Sequence, residues 1–245
     1  MLDFAKKILR RPLKAAGYRL LHFEVDAEPA LRFHLRKVLK RLDVNCVFDV
    51  GANRGEYARL LREEGYTGDI ISFEPNKETY QYLSEIARKD ERWAVYNMAL
   101  GSEETILSLN VAQISSLSSL LTPTEYAEAV FGKEMIDHTQ SVEVKRLDSI
   151  YSELVKHISD PKVFLKMDTQ GYDLEVIKGA AGCLQNVLGL QSEISVRPLY
   201  ENTPNYLQSL AEYHSLGFNL TGLFTVNLDR RTFNIVEYDC VMIRG

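Results

Sequence analysis

The chain has 245 residues, 45% hydrophobic and 26% charged, enough for one substantial core and most simply a single α/β domain with a helical preface. No apolar run approaches the roughly 18–20 residues that cross a bilayer, and the basic N-terminus lacks the uninterrupted apolar stretch of a secretory signal. The net charge of −5 divides into +6 over residues 1–45 and −11 over the rest, an acidic body that argues against nucleic acid as principal substrate.

Residues 3–40 read as two helical segments separated near Gly17–Glu28, the second with an apolar face of Leu31, Leu35, Val38 and Leu39. The first contains Lys6, Lys7, Arg10, Arg11 and Lys14. Such a helix suits peripheral contact with anionic lipid or a polyanion. The plainer reading, favoured by Pro12 and sparse aromatics, is a solvated face packed on the domain or on the second subunit of a homodimer. Residues 1–44 are thus expected to form a helical extension of a domain spanning 45–245.

Strands and helices then alternate. The pattern gives a strand at Cys46–Val50, a helix at Glu56–Glu64 stopped by Gly65, a strand at Ile70–Phe73, a helix at Lys77–Arg88 and a strand at Trp93–Tyr96. Thr105–Val111 and Val142–Arg146 alternate like an antiparallel pair. They flank a lid-like insertion at residues 112–140, in which Thr122-Pro123-Thr124-Glu125 marks a helix start. Helix Leu147–His157, strand Val163–Met167, helix Asp173–Leu184, strand Leu188–Ser195 and helix Tyr206–Leu216 follow. Phe218–Val226 and Asn234–Ile243 close the chain as a strand pair. This order implies a mostly parallel sheet with an antiparallel C-terminal hairpin. Cys46, Cys183 and Cys240 lie far apart in apolar contexts, as expected of buried thiols in a reducing, cytoplasmic compartment.

The chemistry concentrates in Val47-Phe48-Asp49-Val50-Gly51-Ala52-Asn53-Arg54-Gly55-Glu56-Tyr57. An apolar strand runs into a carboxylate, then two glycines four apart, then a helix, which brings a nucleoside-bearing ligand against bare backbone. A dinucleotide loop would read G-x-G-x-x-G, but Asn53 and Glu56 stand where that pattern needs glycines. Glu74 closes the next strand in Ile70-Ile71-Ser72-Phe73-Glu74-Pro75-Asn76, where an acidic side chain accepts hydrogen bonds from both ribose hydroxyls. Together these features favour S-adenosylmethionine over NAD. Each alone has a plainer reading, since strand-end carboxylates and Asn53 also cap helices.

The ordered set of motifs resembles the FkbM-type S-adenosylmethionine-dependent methyltransferases. It comprises Val47–Tyr57, Phe73-Glu74-Pro75-Asn76, Asn97-Met98-Ala99-Leu100-Gly101, Ser115-Ser116-Leu117 and Leu147-Asp148, then Phe164-Leu165-Lys166-Met167-Asp168-Thr169-Gln170-Gly171-Tyr172-Asp173, Ile177-Lys178-Gly179-Ala180 and Glu193. Asp173 departs mildly, since the family usually has Glu there. The resemblance implies a class I, Rossmann-like seven-stranded fold. It implies that Asp49, Gly51, Asn53 and Tyr57, with Ala52 and Gly55 in the same loop, surround the methionine part of the cofactor. Glu74, beside Pro75, would hold the ribose, and Asn97, Met98 and Ala99 would border the adenine.

Lys166 and Asp168 alternate at the end of an apolar strand and so share a face. A lysine there needs a carboxylate partner, and Asp168 and Glu193 are the candidates. As catalytic residues, Asp168 or Glu193 would take a hydroxyl proton while Lys166 holds the carboxylates. The plainer reading is a buried network that only ties two strands together. A divalent metal on the carboxylates is not demanded by the spacing, so none is expected. Ser115, Ser116 and Gln170 are candidates to touch the acceptor, as is His138 in the insertion. His22, His34, His157 and His214 read as helix residues, packed or solvated.

A carboxylate base beside the donor favours O-methylation of a hydroxyl, and the resemblance suggests a sugar, glycolipid or secondary metabolite as acceptor, among which no residue selects. Methyl transfer to nitrogen or a protein side chain, and a non-catalytic nucleoside-binding protein of the same fold, are the alternatives.

Overall fold

The computed structural model describes residues 28–132, 135–229 and 231–245. The basic segment Lys6–Lys14 and His22, read above, lie outside these residues. Helix α1 (Glu28–Arg41) opens the described chain. Strand β1 (Cys46–Val50), helix α2 (Glu56–Glu63), strand β2 (Asp69–Phe73), helix α3 (Lys77–Ala87) and strand β3 (Trp93–Tyr96) follow. Next come β4 (Ala99–Leu100), β5 (Thr105–Ala112), α4 (Glu125–Phe131), β6 (Ile136–Lys145), α5 (Leu147–Leu154) and β7 (Val163–Met167). The chain closes with α6 (Asp173–Gly179), β8 (Val187–Ser195), α7 (Tyr206–Ser215), β9 (Phe218–Asp229) and β10 (Asn234–Arg244).

Seven strands form one sheet in the order β3-β2-β1-β7-β8-β10-β9. The first five are parallel, and β10 runs antiparallel to both β8 and β9. Strands β1, β2 and β7 are buried at every position, which explains their near-continuous apolar sequences. One face packs Phe48, Ile71, Leu165 and Met167 against α5, α6 and α7. The other packs Val47, Ile70 and Phe164 against α1, α2 and α3. Crossover helices on both faces make a three-layer sandwich whose ligand crevice lies at the strand C-termini.

The apolar face read for α1 is the buried one, with Leu35 and Leu39 in the cluster that holds Val47 and Phe164. Burying each such side chain contributes about 1.5–3 kcal/mol. His34 on the same helix reaches Thr221 of β9, Nε2 to Oγ1 2.9 Å. All three cysteines are buried free thiols.

Several boundaries differ from the sequence reading, three of them instructively. Helix α6 stops at Gly179, where the chain packs on Gly101 so closely that a Cβ would lie 1.8 Å from its carbonyl oxygen and only glycine fits. Helix α5 stops at Leu154, and a turn closed by the Ile158 amide on Val155 O takes over. Strand β6 begins at Ile136 and pairs with β5 as far as Ala112, so the connecting segment shrinks to residues 113–135. The polar run Asp137–Ser141 hid this strand, because most of it faces solvent and carries no apolar alternation.

Candidate functional site

The first strand ends in a turn that only glycine fits. Gly51 has φ +73°, and a Cβ there would lie 2.0 Å from the Asp168 carbonyl oxygen. The Gly51 and Ala52 amides both donate to Phe73 O, tying the loop to the end of β2. Asn53 also takes a positive φ, and Gly55 enters α2 at φ 78°. Gly55 packs inward towards Leu83 and Trp93.

Glu74 stands beside this loop. Its carboxylate accepts from the Asn53 amide through Oε2 and from the Asn76 amide through Oε1, both at 2.8 Å. Burial pushes its pKa up to about 7, against the opposing pull of those two amides. Asn97 braces the turn through Nδ2, which donates to the carbonyls of Glu74 and Pro75.

Asp49 is fully buried, and Lys166 is its neighbour in register on β7. Lys166 Nζ lies 3.0 Å from Asp49 Oδ1 and 3.7 Å from Asp168 Oδ2, and donates to Gly51 O at 2.9 Å. Burial works against the ammonium, but Asp49 and Asp168 outweigh it and raise its pKa. Ser72, in register on β2, donates to Asp49 Oδ2 and accepts from Trp93 Nε1. The lysine's principal partner is thus Asp49, whereas the sequence reading named Asp168 and Glu193. Parallel pairing of β1 with β7 supplies the reason, and chain order alone does not reveal that pairing.

Gln170 joins the other two carboxylates. Its Nε2 donates to Asp168 Oδ1 at 3.1 Å and to Glu193 Oε1 at 2.9 Å. Tyr200 braces the amide: its single hydroxyl proton is shared between Leu117 O at 2.8 Å and Gln170 Oε1 at 3.2 Å. Ser119 Oγ donates to Gln170 O, so the segment after β5 is pinned onto the site. Gln170 holds φ 52°, a strained conformation that these bonds maintain. Burial first, then Asp168, Glu237 and Asp239, pushes the Glu193 pKa well up. Burial likewise lifts Asp239 to about 7.

A cavity of about 580 Å³ opens over these strand ends. Gly51, Ala52, Asn53, Tyr57, Glu74 and Pro75 line one side. Met98, Ala99, Ser115, Ser116, Lys166, Asp168, Gln170 and Glu193 also reach it. Asp49, Gly55 and Asn97 stand behind the wall and shape it. His138 stays apart, on β6 opposite Val111, with its half-exposed ring 2.9 Å from Asp137. Gln191 and Asp239 line the cavity too and were missed. A lone glutamine inside the apolar strand β8 was the available signal for the first. Asp239 gave none, because its partner strand became known only with the fold. Among the described residues no cluster of His, Cys, Asp and Glu has metal-holding geometry, and no helix is long and apolar enough to cross a membrane.

A mostly parallel seven-stranded sheet with an antiparallel end, a glycine loop after β1 and a carboxylate after β2 defines the class I methyltransferase architecture. The chain belongs to the Methyltransferase FkbM domain family, which it matches over residues 49–220. The cofactor of this domain is S-adenosylmethionine. Hexuronic acid methyltransferase AglP of Haloferax volcanii is 27% identical over 144 residues, covering 58% of this chain and 53% of that protein. Methyltransferase sdnD of Sordaria araneosa is 30% identical over 156 residues, covering 54% of this chain and 59% of that one. The matched chain spans little more than half the length of these relatives. Among solved structures, an rRNA methylase from Streptococcus thermophilus aligns with a TM-score of 0.46 at 10% identity, covering 91% of this chain and 99% of that one.

Proposed function

We propose that the protein transfers the methyl group of S-adenosylmethionine to a hydroxyl oxygen of a sugar, glycolipid or secondary metabolite. The observation that carries this reading is the carboxylate pair Asp168 and Glu193, joined by one Gln170 amide at the cavity wall beside the glycine loop. The name of the Haloferax volcanii relative, which specifies hexuronic acid, supports a sugar-type acceptor.

The cavity suits the cofactor. The Gly51 turn leaves backbone bare, and the buried Asn53 Oδ1 and Tyr57 OH have no hydrogen-bond partner, as polar atoms awaiting a ligand would. When bound, the cofactor supplies an electrophilic methyl group on a sulfonium. Gly51, Ala52, Asn53 and Tyr57 would hold its methionine part, Glu74 and Pro75 its ribose, and Met98 and Ala99 its adenine. Asp49, Gly55 and Asn97 hold those residues in place. Ser115 and Ser116 would border the acceptor.

Asp168, whose side chain is 40% exposed, is the base that takes the hydroxyl proton. Gln170 aims it by bonding both carboxyls, and burial raises the Glu193 pKa well above the usual carboxylate range. Lys166 fixes the Gly51 carbonyl and steadies Asp168, so that donor and acceptor meet in line. Asp168→Asn should lower turnover about 100-fold or more while calorimetry shows unchanged cofactor affinity. Unchanged turnover would reject the base. Incubation of labelled S-adenosylmethionine with the protein and an extract of its source organism would identify the acceptor.

A further inference from the structure

Among the described residues, six carboxylate side chains and three cationic ones line the cavity: Glu56, Glu63, Glu74, Asp168, Glu193 and Asp239 against Arg32, Arg59 and Lys166. Every one of the cations is already in an ion pair. Arg32 meets Glu63 at 3.0 Å, Arg59 meets Glu56 at 3.6 Å, and Lys166 meets Asp49 at 3.0 Å. The surplus carboxyl groups collect on the far side of β7 from the glycine loop. There Glu193 on β8 sits in register with Asp239 on β10, and Glu237 lies two residues before Asp239.

Gln191 completes that wall. It is 3% exposed, lies in register with Lys166, and donates through Nε2 to Asp239 Oδ1 at 2.9 Å. Its Oε1 is buried with no hydrogen-bond partner. The wall therefore offers acceptor oxygens: the Gln191 carbonyl and the carboxyl oxygens of Asp239, Glu193 and Asp168. A buried acceptor left unpaired costs about 1–3 kcal/mol, which a ligand hydroxyl or ammonium would relieve. A ligand carboxylate would find no unpaired cation among the described lining residues and would crowd a further acidic group into a weakly screened space where burial already disfavours ionised carboxyls.

We propose that the acceptor subsite at the Gln191–Asp239 wall selects a donor-rich, non-anionic polyol, neutral or amino-bearing, and rejects its carboxylate-bearing counterpart. This rests on the hydroxyl-transfer reading above and narrows it. It also separates this chain from a relative whose name specifies hexuronic acid.

The test uses the full chain with S-adenosylhomocysteine and three matched methyl glycosides: a hexose, the 2-amino-2-deoxyhexose and the hexuronate. Binding is read by saturation-transfer NMR and calorimetry. The expected result is binding of the hexose and the amino sugar at least about tenfold tighter than the hexuronate. Equal or tighter hexuronate binding, or no binding by any of the three, overturns the proposal. Asp239→Asn, nearly isosteric, should narrow the gap several-fold, and Gln191→Leu should weaken all hexose binding. Calorimetry with S-adenosylmethionine checks that both variants retain the fold, and unchanged discrimination in both folded variants also overturns the proposal. Release of S-adenosylhomocysteine from S-adenosylmethionine is measured separately. Selective binding without transfer counts against the hydroxyl-transfer reading and supports the selectivity of the wall.

Discussion

Nζ of Lys166 lies 3.0 Å from Oδ1 of Asp49, on the neighbouring strand at the same register, with both side chains shut away from solvent. Removing either partner strands the other as an uncompensated buried charge, which costs about 3–5 kcal/mol. Lys166→Met is expected to lower the unfolding free energy by about that amount. The double variant Asp49→Asn/Lys166→Met should recover much of the loss. Urea unfolding of the single and double variants measures this, and strictly additive losses would contradict the pairing.

Gly51→Ala tests the glycine turn. The new Cβ would sit 2.0 Å from Asp168 O at a φ of +73°, so the loop has to move. Backbone strain alone costs about 1–3 kcal/mol. Cofactor affinity should fall by at least about tenfold, because the displaced loop includes Asn53, whose amide bonds Glu74. Calorimetry with S-adenosylmethionine decides, and an unaltered affinity would show that the turn does not face the cofactor.

Buried carboxyls give the protein a characteristic pH response. A carboxyl whose folded pKa exceeds its unfolded one binds more protons when folded, so its stabilisation is full below the unfolded pKa and is lost as pH rises through the folded one. For Glu74 this window runs from the ordinary 4.5 to about 7, and Asp239 contributes over 3.8 to about 7. The ligand-free protein should therefore lose stability as pH rises across that range, and Glu74→Gln should flatten the slope. Ribose hydroxyls donating to Glu74 would favour its ionised form, so cofactor affinity should rise with pH through about 7 and cease to do so in Glu74→Gln. Thermal melts and calorimetry at several pH values measure both trends.

Tyr200→Phe removes the hydroxyl that fixes both the Gln170 amide and Leu117 O. Losing about 1.4 kcal/mol of orientation corresponds to about tenfold in kcat, with the KM for cofactor unchanged. Steady-state kinetics would show it. A rise in cofactor KM instead would move Tyr200 to the other end of the cavity.

Much of this was legible in the chain because local rules govern it. The glycine spacing at Gly51 and Gly55, the carboxylate ending β2 and the continuous apolar strands all rest on short-range geometry. What stayed hidden depends on which strands meet. Nothing in chain order sets Asp49 beside Lys166, or Asp239 beside Glu193, since each pair is separated by more than 40 residues and joined only by the sheet. The role of Asp49 as the lysine's counter-ion therefore comes only from the sheet. Strand β6 escaped for the opposite reason, since its polar half lies on an exposed sheet and carries no burial pattern. His138 lies on that strand, outside the cavity lining.

Ser72, Asp49, Lys166 and Gln191 stand side by side on β2, β1, β7 and β8. The strands around them are mostly interchangeable in their apolar residues, and parallel strands of that kind could slide past one another by two residues without exposing a single valine. The row forbids the slide. Shifting β7 by two positions would set the lysine against Val47 and leave two opposite charges buried apart, at a cost of several kcal/mol. The same four polar side chains act as an alignment key for the sheet, and only the correctly threaded chain brings the cavity's two walls to the same height.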